Sequence, residues 1–311
     1  MCKSIRIVLI ILLVLMRGCS EDDEMDEEIM PSIEDTRIAF MSERGGNWDV
    51  YVMNIDGTDQ VNLTNMIDSP IGAVIPSWSP DGTKIAFTSG SEDIYVMNSD
   101  GTDQVNLTNS PVSEDHGATW SSDGSKIAFT SEHSGIADIY VMDSDGTNLV
   151  NLTNSSESWD SDPCWSPAAA MIAFTSERNG AVDIYAMMAD GTDQVNLTNS
   201  PDSEDYGASW SPDGTKIAFS SDRDGNWDIY VMNSDGTGQV NLTNSPDSED
   251  DQPSWSPDGA KIAFSSDRSG SSVDIYIMDA DGTNLVNLTN SPEAEESPSW
   301  SPYLTDISDS Q

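Results

Sequence analysis

A chain of 311 residues with 55 acidic against 12 basic side chains carries a formal net charge of -43. Such a field repels nucleic acid and anionic lipid and attracts metal cations and basic partners, so polyanion binding is excluded at the outset. Length alone would allow two domains, while three cysteines, two of them within the first 19 residues, exclude an intrachain disulfide framework.

The first segment differs in kind from the rest. Lys3 and Arg6 precede an unbroken apolar run over residues 7–16. That run has the length of a secretory signal core and is too short to span a bilayer, so residues 1–18 read as a signal peptide and the chain as exported. Gly18-Cys19-Ser20 resembles a bacterial lipoprotein cleavage box, with departures at Met16 and Arg17. The resemblance implies that Cys19 becomes the acylated first residue of the mature chain, its only membrane contact. Residues 19–30, acidic through 21–28, read as a core-free tether.

One unit then recurs six times. The Trp-Ser pair appears at Trp78, Trp120, Trp165, Trp210, Trp255 and Trp300, with Asn-Leu-Thr starting at Asn62, Asn106, Asn151, Asn196, Asn241 and Asn287. A period near 45 is the length of one propeller blade, which predicts an all-β fold over residues 31–304: a six-bladed β-propeller of four-stranded antiparallel blades. In the fifth copy, 208–211 is expected as the first strand, Pro212-Asp213-Gly214 as a turn, 216–220 as the second strand and 222–227 as a hairpin loop. The third strand follows at 228–232 and the outer strand at 239–242, after the Ser234-Asp235-Gly236 turn.

Blade one has only a remnant first strand, Pro31-Ser32-Ile33, whereas 298–304 arrives with no blade to follow. Pairing the two would close the ring within one molecule and give a monomer. The alternative is docking of 298–304 into a neighbouring copy, which would build a polymer. Residues 305–311 read as a tail.

Five residues before the blade tryptophan stand Asp115, Asp160, Asp205, Asp250 and Glu295, with Ala73 breaking the series in blade two. They are expected as a partial ring around the channel mouth, able to bind a basic ligand or a hard cation. Oxygen-only ligands favour Ca2+, with Asp115, Asp160, Asp205 and Asp250 as candidate metal ligands. The competing reading pairs each acid with Arg44, Arg178, Arg223 or Arg268 from the neighbouring hairpins. The crossing into blade two is two residues longer than the others and carries Ile67, Ile71, Val74 and Ile75, a candidate docking patch for a protein partner or a cover for the short hairpin behind it. Cys164 stands where the other copies have Ser or Thr and reads as a small buried residue. His116 and His133 are expected on different kinds of loop, with no ligand spacing for zinc.

Pro-Ser-Trp-Ser-Pro-Asp-Gly-Thr-Lys-Ile-Ala-Phe followed by Asp-Ile-Tyr-Val-Met resembles the TolB-type Pro-Asp propeller repeat, a WD-like family of bacterial and archaeal envelopes, over residues 31–304. The resemblance implies an envelope interaction module; the α/β domain that TolB carries ahead of its propeller finds no room between Cys19 and blade one. Peptidases using this repeat attach an α/β-hydrolase domain with a Gly-x-Ser-x-Gly elbow, and propeller lyases use a His-bearing metal centre; neither pattern occurs here. The expected function is therefore a non-catalytic, extracytoplasmic, lipid-anchored binding propeller that meets a protein or basic ligand in the envelope, with no cofactor other than Ca2+. The alternatives are a polymer-forming surface protein and, behind it, a propeller hydrolase or lyase.

Overall fold

The computed structural model describes residues 32–66, 72–90, 92–133, 135–270 and 272–304. Residues 1–31, which include Cys19, and 305–311 lie outside them. Six four-stranded antiparallel sheets make the propeller. Blade five is typical: Asp205–Trp210 innermost, then Lys216–Ser221, Asp228–Asn233 and the two-residue outer strand Val240–Asn241. The innermost strand starts three residues earlier than the sequence suggested, at the acid itself, because Asp205 still pairs across to Ser221.

Pleat alternation explains why Ile-Ala-Phe recurs. Ile85 and Phe87 pack against Ala39, Val50 and Val52 of blade one, while Ala86 between them faces Trp120, Ile127 and Phe129 of blade three. Each blade thus offers a bulky face to one neighbour and a small-residue face to the next. The six phenylalanines Phe40, Phe87, Phe129, Phe174, Phe219 and Phe264 are all buried, each against the tyrosine opposite on the third strand. Burying such side chains, at about 1.5–3 kcal/mol apiece, is the main cohesion between blades.

The polar repeats serve the same scaffold. Asp228 is buried and accepts from Asn241 Nδ2 at 2.8 Å, Thr243 Oγ1 at 2.9 Å and the Ser245 backbone N–H at 2.9 Å. Equivalent bonds tie Asp49, Asp93, Asp138, Asp183 and Asp274 to their own Asn-Leu-Thr segments. The sequon asparagines therefore spend their amides holding the outer strand. Gly236, with φ 84°, sits so close to the preceding blade that a Cβ would come within 2.4 Å of the Leu197 carbonyl oxygen, which is why the Asp-Gly-Thr turn needs glycine.

Glu295–Trp300 pairs with Arg37–Ser42, placing the last strand innermost in blade one and closing the ring within one chain. The closing strand lies earlier than 298–304: residues 301–304 run beyond it, with Ser301 N donating to Arg37 O and Leu304 N to Asp35 O. Of the supposed strand remnant, Pro31 lies outside the described residues, Ser32 caps and Ile33 opens a short 3-10 turn, Ile33–Asp35. Among the described residues, no helix is long and apolar enough to cross a membrane.

Candidate functional site at the channel mouth

Every innermost strand carries a β-bulge, seen as a register shift against its partner. The bulged residue has a left-handed backbone in all six blades: Ile75, Gly117, Asp162, Gly207, Gln252 and Ser297, with φ between 51° and 66°. Bulges re-aim side chains, and these turn the strand toward the central cavity. That cavity holds about 300 Å3 and is lined by all six blades.

Immediately before the bulge stand six different residues: Val74, His116, Ser161, Tyr206, Asp251 and Glu296. Tyr206 Oη donates to Asp251 Oδ2 at 3.2 Å, and its ring meets Trp227 edge-on at 4.6 Å. Burial, followed by the neighbouring charge of Glu296, pushes the Asp251 carboxyl up to about 7. Glu296 is raised by burial and by Glu43. Asp162 is raised by burial too, with His116 opposing. Three carboxyls thus stand on a partly desolvated rim, Asp251 and Glu296 on adjacent blades and Asp162 apart from them on blade four.

The ring expected at the mouth is not there. Asp160, Asp205, Asp250 and Glu295 are fully buried one residue further back, on the opposite side of the pleat. Each meets an arginine: Arg178 at 2.8 Å, Arg223 at 2.9 Å, Arg268 at 2.5 Å and Arg44 at 2.7 Å. The guanidinium groups lie over the Phe–Tyr pairs, Arg223 within 4.7 Å of the Tyr230 centroid. A guanidinium therefore stands where a metal ion was expected on four of the five carboxylates. Asp115 is buried without such a partner and accepts from Ser131 Oγ at 2.5 Å. Among the described residues, no three His, Cys, Asp or Glu side chains converge to hold a metal.

The other sequence candidates divide. Val74 and Ile75 lie on the innermost strand of blade two, Ile75 on the cavity wall; Ile67 and Ile71 fall outside the described residues. Both histidines sit on strands rather than loops, His116 on Glu114–Trp120 and His133 at the end of Lys126–His133. Cys164 lines the cavity, and burial pushes its thiol up to about 11, so it is protonated and a poor nucleophile at neutral pH. Sequence reasoning missed Tyr206, Asp251, Glu296 and Asp162. The available signal was the disagreement of the six copies at those positions.

Comparison with known proteins agrees with the propeller fold. The family model described as the TolB beta propeller domain matches residues 73–159, 118–209 and 198–307. The chain belongs to that family. Among curated relatives, a Protein TolB homolog of Chlorobaculum tepidum is 44% identical over 57 residues, 18% of this chain and 12% of its own. The Tol-Pal system protein TolB of Nitrosomonas europaea is 37% identical over 59 residues, 19% of this chain and 13% of its own. The chain thus matches about an eighth of the length of these relatives. The crystal structure of TolB from Acinetobacter baumannii superposes with a TM-score of 0.75 at 24% identity, covering 88% of this chain and 68% of that one, which establishes the shared fold.

Proposed function

We propose that this TolB-type propeller is a non-catalytic, extracytoplasmic interaction module that takes a basic segment of an envelope protein at its channel mouth. The observation carrying the reading is the pair Asp251 and Glu296 on adjacent blades, raised in pKa by burial and, at Asp251, by the charge of Glu296, with Asp162 on a further blade of the same rim also raised by burial. A bound cation would relieve the repulsion between Glu296 and Asp251, and the net charge of -43 would speed its arrival. The likeness to a relative named as a Tol-Pal system protein supports an envelope setting. Export through residues 1–18, a tether over 19–30 and acylation at Cys19 belong to the same reading, as does a monomeric state. The protonated thiol of Cys164 speaks against nucleophilic catalysis.

Titration of the full chain with a lysine-rich decapeptide and its glutamate counterpart tests the mouth. Only the lysine peptide should bind, more weakly as salt rises, and Asp251→Asn with Glu296→Gln should weaken it about tenfold. Binding indifferent to the double substitution would remove the mouth from the account. The intact mass of the mature protein checks the anchor: any amino terminus other than an acylated Cys19 eliminates it. Light scattering checks the monomer, since mass growing with concentration would favour the polymer.

A further inference from the structure

Four blades share a filled slot. In blades one, four, five and six the arginine of the second hairpin lies over the Phe–Tyr pair and donates to the buried acid. In three of them a glutamine, Gln60, Gln194 or Gln239, accepts a further guanidinium hydrogen bond. In blade five Ser200 Oγ accepts another, at 3.1 Å. Blade two dispenses with both charges together, having Ala73 in place of the acid and no arginine in its Gly90-Ser91-Glu92 hairpin.

Blade three separates them. Asp115 remains, 2% exposed, while the arginine position is His133 and the glutamine position Leu149. The His133 ring stacks on Tyr140, centroids 5.7 Å apart, and its Nδ1 reaches only Ser131 Oγ, at 3.4 Å. Among the described residues, no Lys, Arg or His nitrogen stands within ion-pair distance of Asp115. Imidazole is shorter than an arginine side chain, so the slot persists as a cavity of about 310 Å3. Ser110, Asp115, Phe129, Ser131, His133 and Leu149 line it. It adjoins a cleft of about 800 Å3 whose walls include Asp93, Glu114 and Glu132, and the two share Ser110 and Ser113.

We propose that the blade-three slot receives a guanidinium group from outside: an arginine side chain presented by a partner protein. A buried carboxylate stripped of its counter-ion is costly, and an intermolecular guanidinium restores what the other blades supply from within. The slot keeps the features that suit guanidinium over ammonium, an aromatic face beside a carboxylate and a serine acceptor like Ser200, and the acidic cleft gathers cations at its entrance. The site is separate from the channel mouth and does not depend on it.

Calorimetric titration of the full chain with Nα-acetyl-arginine amide, Nα-acetyl-lysine amide and free arginine, at constant ionic strength, tests this. The arginine amide should bind saturably, and the lysine amide at least about tenfold more weakly. Free arginine should bind more weakly too, because its carboxylate meets the acidic cleft. Asp115→Asn should abolish binding. His133→Arg should abolish it while raising the melting temperature, since it rebuilds the internal pair; misfolding cannot produce that combination. Equal binding of the lysine amide, unchanged binding by His133→Arg, or no saturation in the wild type would overturn the site. Tighter binding of free arginine than of the amide would overturn a protein source.

Discussion

Carboxylates at the two ends of the innermost strands behave oppositely. At the turn end, Asp81, Asp123 and Asp213 accept from neighbouring Ser and Thr hydroxyls and a backbone N–H, which hold them below the usual range, Asp123 at about 2. At the mouth, Asp162, Asp251 and Glu296 are raised by burial, Asp251 also by Glu296 and Glu296 also by Glu43. The turn aspartate recurs in four of the six copies, with Ala168 and Tyr303 in the other two, whereas the six residues before the bulge all differ. A position that most blades fill alike serves what they share, namely folding. One that every blade fills differently, at some cost in electrostatics, serves something the blades do not share.

The largest expected effect tests the buried acids just behind the mouth. Arg223→Met should cost about 4 kcal/mol in urea denaturation by leaving Asp205 charged and unpaired, and adding Asp205→Leu should recover most of it. If the single change were near neutral, these pairs would not belong to the scaffold. Next, Asp228→Ala orphans three donors and should cost about 3 kcal/mol, whereas Asp251→Ala at the mouth should be neutral or stabilising. Equal losses would erase the contrast between the two regions.

The third effect concerns pH. Asp251 is raised in the folded state, so the folded protein binds the extra proton between the ordinary value of 3.8 and about 7. Its stabilising contribution is complete below 3.8 and is lost as pH rises toward 7, with a slope of at most about 1.4 kcal/mol per pH unit. Melting scans from pH 4 to 7 should show a steeper decline for wild type than for Asp251→Asn. The turn carboxylates have the opposite sign: their contribution is present above 3.8 and is lost as pH falls through about 2 at Asp123. The smallest effect is at Ile75, a β-branched residue held at φ 53°. Ile75→Gly should gain about 0.5 kcal/mol, the relieved strain exceeding the added chain entropy.

Blade number, strand order and closure by the C-terminal strand were legible because tryptophan, turn and Asn-Leu-Thr spacings repeat without needing tertiary context. The arginine pairing was half legible, since Asp160 to Arg178, Asp205 to Arg223 and Asp250 to Arg268 share one separation. The mouth was misplaced by one residue. Adjacent residues on a strand face opposite ways, and the bulge that settles which residue reaches the cavity has no common side chain, being Ile75, Asp162, Gln252 or Ser297 as readily as Gly117 or Gly207. The approach of Glu296, which helps raise Asp251, arises only when separate blades meet.

The clasp between the first and last strands also decides how the ring would respond to force. Ile38 is opposite Trp300, and Arg37 and Asp35 bond to Ser301 and Leu304, so both chain ends leave from the same end of one antiparallel pair. Tension between them would act along the hydrogen bonds and part them one after another, as a zipper opens, instead of loading all of them at once in shear. The Leu304–Asp35 bond is the first tooth, and Trp300, with its bond from Nε1 to Thr36 Oγ1 at 2.8 Å, stands just behind it. A load applied across this pair would thus peel blade one before disturbing the other five, giving the ring a defined place to yield.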